Sequence, residues 1–148
     1  ITIEQLRDIY TGKMTKWPDG KPILALNRPE SSGTREVFQK KVLGKGVEFT
    51  PRAKIKHDAA AKAMVSKAAT AIAYTSAGTI KGGKFKVLRV EGVAPTAENI
   101  RSKKYPISRT PHFGTKGAAT GDLAAFLEFV VSEDGQKVVE SVGLVPLK

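Results

Sequence analysis

The sequence predicts an α/β fold with a largely parallel sheet, and three features carry that expectation. Two short, unbroken apolar runs, Ile23-Leu24-Ala25-Leu26 and Ala71-Ile72-Ala73-Tyr74, have the composition of strands covered on both faces, as strands of parallel sheets are. Segments of helical period lie between and beyond them, and strand–helix alternation is the pattern of a parallel sheet with crossover helices. The length, 148 residues, suits one such domain and is short for two.

The elements follow in order. Thr2 with Gln5 has the form of a capping box, and Leu6, Ile9 and Tyr10 recur at helical spacing, so a short helix is expected to end near Gly12. Trp17-Pro18-Asp19-Gly20 is turn chemistry. The strand at 23–26 runs into Asn27-Arg28-Pro29-Glu30-Ser31-Ser32-Gly33-Thr34. A helix is expected from about Thr34, with Val37, Phe38 and Val42 inward. Lys45 to Lys56 reads as a basic, irregular connection. Asp58 is read as the cap of a helix whose Ala61, Met64, Val65 and Ala68 share a face. After the strand at 71–74, the alternation of Phe85 to Val90 predicts another strand. Thr96 is expected to cap a short helix through Ile100, and Tyr105 to Phe113 to run extended. Leu123, Phe126, Leu127, Val130 and Val131 mark an amphipathic helix, and Val138, Val139 and Val142 a second one stopped by Gly143.

Composition removes several classes of function. Without cysteine there is no disulfide, thiolate chemistry or cysteine metal site. His57 and His112 stand far apart with no companion ligand spacing, so no metal or other cofactor is expected. No apolar run approaches the roughly 20 residues of a membrane-spanning helix. The chain opens on Ile1 and enters a helical pattern at once, so an upstream segment is expected. The net charge of +11 is uneven: residues 119–148 hold 5 acidic and 2 basic groups, so the positive field belongs to the first 118 residues. Such a field attracts anions, whether phosphate, nucleic acid or an acidic surface.

The stretch from Asn27 to Arg35 is the richest in chemistry. A helix start leaves backbone N–H groups unpaired, Gly33 lets a ligand oxygen approach the backbone, Ser32 and Thr34 add hydroxyls, and Arg28 offers a bidentate charged donor. Together they suit a tetrahedral oxyanion. The same Ser-Ser-Gly-Thr is also good helix-capping sequence, and local chemistry alone leaves both readings open. Other residues point elsewhere. Ser31, Ser32 and Ser76 lack a nucleophile-elbow motif, Trp17 and Phe38 fit a core better than a base-stacking surface, and Gly82-Gly83 lacks the ending of a nucleotide loop.

Five segments in register resemble the phosphate ABC-transporter substrate-binding proteins: TIEQLRDIYTGKMTKW at 2–17, NRPESSGTREVF at 27–38, AIAYTSAG at 71–78, YPISRTPHFGTKG at 105–117 and FLEFVVSEDGQKVVESVGLVPL at 126–147. The resemblance implies a type II periplasmic-binding-protein-like lobe, with residues 1–105 as the second-lobe domain and 106–148 as a crossover and C-terminal helices returning to a first lobe. It implies a non-enzymatic receptor for inorganic phosphate at Arg28, Ser32, Gly33 and Thr34. Glu30, standing where the family usually has Asp, would hold the arginine, and Arg35 would be a structural partner. The implied partners are an ABC permease and a first lobe unmatched by this chain, so the site is expected to be a half-site. Residues 119–148 are expected to fold back on the sheet or, the favoured outcome, to dock on another chain, a missing first lobe or a second copy in a homo-oligomer. The implied location is periplasmic or cell-surface. The alternative from another class is a basic nucleic-acid or polyanion-binding module, for which no recognised motif speaks. An enzyme acting on phosphate esters ranks third.

Overall fold

A computed structural model describes residues 1–50, 53–55, 57–80 and 82–147. Its centre is a three-stranded parallel sheet of order β2-β1-β3, with β1 at Leu24–Asn27, β2 at Ala53–Lys54 and β3 at Ala71–Ala73. Leu24, Ala25 and Leu26 face Ala71, Ile72 and Ala73 on one side, while Leu26 and Asn27 face Ala53 and Lys54 on the other. The middle strand is therefore paired on both edges, and with both faces covered its run is apolar without alternation.

Helix α1, Ile3–Thr11, starts with both bonds of the capping box: the Gln5 amide donates to Thr2 Oγ1 at 3.0 Å, and the Thr2 amide to Gln5 Oε1 at 2.9 Å. It ends at Gly12, whose φ of 81° is a conformation that costs glycine nothing. Leu6, Ile9 and Tyr10 are buried beneath it. The turn at Trp17–Gly20 closes with the Gly20 amide on the Trp17 carbonyl, and the Trp17 indole donates to the Thr70 carbonyl at 3.0 Å. Helix α2, Gly33–Phe38, continues into a π-helical turn, Gln39–Leu43, and Phe38, Val42 and Leu43 all reach the core. Helix α3 is Asp58–Lys67, α4 is Ala97–Arg101 capped by Thr96, α5 is Gly121–Val131 and α6 is Glu133–Ser141. Among the described residues no helix is long and apolar enough to cross a membrane.

The main core lies on the α1 side of the sheet, around four aromatic rings. Phe38 and Tyr74 stack at 4.2 Å, Tyr10 meets Phe38 edge-on at 4.7 Å, and Phe49 completes the group. A smaller core of Leu26, Ile55 and Ala61 fills the α3 side. The sheet is thus covered on both faces, as its strands require.

Four expectations change. The basic connection at 45–56 contains β2, whose only apolar signal is the spacing of Ala53 and Ile55 between basic residues; the Ile55 amide joins the Asn27 carbonyl at 2.8 Å. Phe85 to Val90 forms no strand. Only Val90 there is deeply buried, Val87 is exposed, and the segment's end pairs with the chain start through the Glu91 amide and the Ile1 carbonyl. Tyr105 to Phe113 runs without regular secondary structure, Tyr105 and Ile107 packing against the main core. Met64 lies exposed on α3 rather than on its inner face.

The C-terminal helices α5 and α6 pack on each other and, among the described residues, on no other helix or strand to a comparable extent. Among the described residues they make no comparable contact with the sheet. Leu123, Phe126, Phe129, Val131, Val138 and Val142 are left exposed, although the backbone at Gly143 approaches that of Gly78 closely.

The tyrosines yield a test. Burial raises the Tyr10 phenol well above its ordinary value of 10.0, with a further contribution from Tyr74, and burial also raises Tyr74 and Tyr105. An acid whose folded-state pKa is raised favours the fold below the unfolded value and loses that contribution as pH rises through the folded value. Stability should therefore be insensitive to these groups below about pH 10 and fall steeply above it. In an alkaline titration, the phenolate absorbance of Tyr10 should appear together with the loss of ellipticity. Tyr10→Phe removes a hydroxyl that lies 3.3 Å from the carbonyls of Leu26 and Ile72. It should cost about 1 kcal/mol at neutral pH and move the alkaline transition upward.

Candidate functional site

All three strands end on the same side, and their carboxyl ends bring the polar residues together. Open parallel sheets place ligands at that edge, because the connections leaving the strands diverge there. Asn27 and Arg28 leave β1, Asp58 follows β2, and Tyr74 and Ser76 follow β3. The Tyr74 hydroxyl donates to Asn27 Oδ1 and accepts the Arg28 amide at 3.2 Å, while that amide also reaches Asn27 Oδ1 at 2.9 Å. This knot fixes where the chain turns away from the sheet. Burial raises the Tyr74 pKa, only partly opposed by the Arg28 amide and the positive charges of Arg35 and Arg28, so the hydroxyl keeps its proton and remains a donor.

The Arg28 guanidinium lies largely buried and forms an ion pair with Asp58. Asp58 Oδ2 accepts the Ser76 hydroxyl at 2.8 Å, so the acid is held from a second strand end. Arg28 Nη1 and Asp58 Oδ1 are the atoms of that ion pair, and among the described residues Arg28 Nε is buried with no hydrogen-bond partner. The guanidinium therefore keeps one buried donor, Nε, for a further acceptor.

Ser32 is buried and caps α2, its hydroxyl accepting the Arg35 amide at 3.3 Å. Its own amide closes a turn to the Pro29 carbonyl, and the Glu36 amide takes the Ser32 carbonyl. Among the described residues no acceptor faces the amides of Gly33 and Thr34. Thr34 is half-buried in the first turn. Arg35 bonds the Arg28 carbonyl at 3.3 Å and lies over the Phe49 ring at 4.8 Å, so it braces the loop from behind. Glu30 lies 3.7 Å from Arg35, with its side chain almost fully exposed. The acid paired with Arg28 is Asp58.

Asp58 is the residue that sequence reasoning placed differently. The cap of α3 is His57, whose Nδ1 accepts the Ala60 amide at 3.2 Å, and Asp58 is the first helical residue. An aspartate at a helix start reads as a cap; that its carboxylate turns to an arginine thirty residues upstream is set by the β1–β2 pairing, which had no sequence signal. Arg109, whose guanidinium lies over Gly33, was likewise not singled out. Among the described residues no three His, Asp or Glu side chains gather to hold a metal.

A sequence profile of the PBP superfamily domain matches residues 1–134. The chain belongs to that superfamily. Among its relatives, the phosphate-binding protein PstS of Bacillus subtilis is 37% identical over 154 residues, covering 99% of this chain and 50% of that protein. PstS 2 of Streptococcus agalactiae is 34% identical over 132 residues, covering 82% and 45%. A crystal structure from Clostridium perfringens, described as a phosphate ABC transporter substrate-binding protein with bound phosphate, superposes with a TM-score of 0.81. Its identity is 29%, covering 100% of this chain and 63% of that one. PstS of Borrelia burgdorferi follows at a TM-score of 0.79 and 26% identity, covering 100% and 64%. The chain is homologous to these phosphate-binding proteins, and its fold is that of a type II periplasmic-binding-protein lobe. It spans about half the length of the curated relatives it matches.

Removing one member of a buried ion pair is costly because the other is left without a counter-charge. Asp58→Ala should lower the unfolding free energy by about 3 kcal/mol, measured in urea, while replacing both partners (Asp58→Ala with Arg28→Met) should restore most of it.

Proposed function

We propose that this chain is the phosphate-contacting lobe of a non-enzymatic receptor for ABC import, working outside the cytoplasm and delivering its ligand to a membrane permease. In this reading Arg28, Ser32, Gly33 and Thr34 hold one side of inorganic phosphate or a similar oxyanion. Arg28 donates from its guanidinium, Gly33 and Thr34 from their amides, and the two hydroxyls add further donors. Asp58 keeps Arg28 aimed, and Arg35, steadied by Glu30, braces the loop. The observation that carries the proposal is the buried Arg28, whose Nε has no partner, in one loop with the amides of Gly33 and Thr34, which no acceptor faces among the described residues. The relative with bound phosphate supports the choice of ligand.

The site built by these residues alone is a half-site. Residues 1–105 form the phosphate-contacting domain, and residues 106–148 cross toward an opposing lobe that supplies the remaining contacts and the selectivity. The exposed apolar face of α5 and α6 is the seat of that lobe. Each of its large side chains is already half covered and stands to gain about 1 kcal/mol more when fully covered, so water is a poor neighbour for the set.

Two measurements test this. Titrating phosphate while following backbone amide shifts should move residues 27–36 most, with weak affinity and little preference over sulfate. Arg28→Ala should reduce affinity by about 10- to 100-fold, the worth of a hydrogen bond to a charged group, and Ser31→Ala much less. The largest shifts falling elsewhere would overturn the assignment, and a nucleic-acid complex that persists at high salt would favour the polyanion-binding alternative. With no opposing lobe present, the uncovered apolar face should drive self-association, seen by sedimentation at micromolar concentration and dissolved by Phe126→Glu with Phe129→Glu. A strict monomer indifferent to those changes would remove the docking role.

A further inference from the structure

Gly33 is not a glycine for the sake of its backbone. Its φ lies outside the left-handed region, so any residue could adopt its conformation. What it lacks is room: a Cβ placed there would come within 3.2 Å of Arg109 Nη2, 3.4 Å of Nη1 and 3.7 Å of Cζ. The end of the Arg109 guanidinium therefore lies flat against the space that a side chain at position 33 would fill. Arg109 arrives from the crossover segment, far along the chain from the loop it covers.

The charges around the loop are unequal. Arg28 has Asp58, and Arg35 has Glu30 and the Arg28 carbonyl. For Arg109 no carboxylate or carbonyl partner occurs among the described residues. Of the three arginines on or over residues 28–35, two are answered by acids and, among the described residues, Arg109 is not. An exposed cation gains little by leaving water for a place beside two others, and it gains much if an anion lies between them. One small oxyanion held between Arg109 and the amides of Gly33 and Thr34 would balance the arrangement.

We propose that Arg109 is a further oxyanion-contacting residue, reaching across Gly33 from the crossover segment, and that position 33 is glycine to seat it. The inference rests on the reading of residues 28–34 as a phosphate site and adds to it a contact from a second part of the chain. The crossover then senses the ligand directly, because the segment that leads out of the domain carries a group that the ligand attracts.

Inorganic phosphate titrations of the whole chain test this with four proteins: unchanged, Arg28→Ala, Arg109→Gln and Gly33→Ala. Arg109→Gln should weaken binding by about 10- to 100-fold, with urea stability unchanged because the side chain is exposed. Gly33→Ala should weaken it through displacement of the same guanidinium, and adding Arg109→Gln to Gly33→Ala should cost little more, the non-additivity expected of coupled neighbours. The Arg109 side-chain Nε–H resonance should shift on phosphate addition. If Arg28→Ala abolishes binding while Arg109→Gln leaves affinity and that resonance unchanged, the Arg109 inference fails and the site at residues 28–34 stands. If the unchanged protein shows no phosphate response, both fail together.

Discussion

The hydrogen bond from the Tyr74 hydroxyl to the Asn27 side chain is the tie on which the rest of the arrangement depends. The ring of Tyr74 belongs to the core, stacked on Phe38 beside Tyr10 and Phe49. Its hydroxyl belongs to the site, where it also receives the Arg28 amide. One residue therefore transmits the rigidity of a packed aromatic cluster to the first residue of a loop, and loops need such anchoring because most of their backbone faces water. Asn27 is one of the few buried polar residues, and its burial is tolerated because its side-chain oxygen is satisfied twice.

From that anchor the sheet does the assembling. Each of the three parallel strands contributes one polar group near its carboxyl end, and no two of those groups are close in sequence. Arg28, Asp58 and Ser76 meet only because β2 and β3 flank β1 in register. Burying the Arg28–Asp58 pair is expensive in desolvation and returns little net stability. Such a pair makes sense as positioning: the acid restrains a long, flexible cation and leaves part of its donor set unspent.

The parts legible in the sequence are those whose cause is local. The capping box of α1, the stop at Gly12, the cap of α4 by Thr96, the apolar β1 and β3 runs, and the periods of α5 and α6 all follow from residues within a turn or two of each other. The parts that were not legible depend on distant partners. Strand β2 is two residues long and exists because Leu26 and Asn27 offer a free edge. Phe85 to Val90 has the right alternation for a strand but meets the chain start instead of the sheet. Arg28 and the Ser32-Gly33-Thr34 turn stood out by composition, whereas Asp58 and Arg109 did not, since their positions relative to the loop are set entirely by tertiary structure.

The π-helical turn at Gln39–Leu43 bears on how such a chain can change length during evolution. Its Gly44 amide reaches back five residues to the Gln39 carbonyl, one more than an α-helix encloses. The adjacent residues Val42 and Leu43 both point into the core from this wider turn. Losing one residue here would convert the turn to ordinary α-helix, yet leave everything from Asn27 to Phe38 where it stands. Gaps between descendants of a common ancestor can thus accumulate just beyond this loop without disturbing it, the change in register being absorbed before the next strand begins.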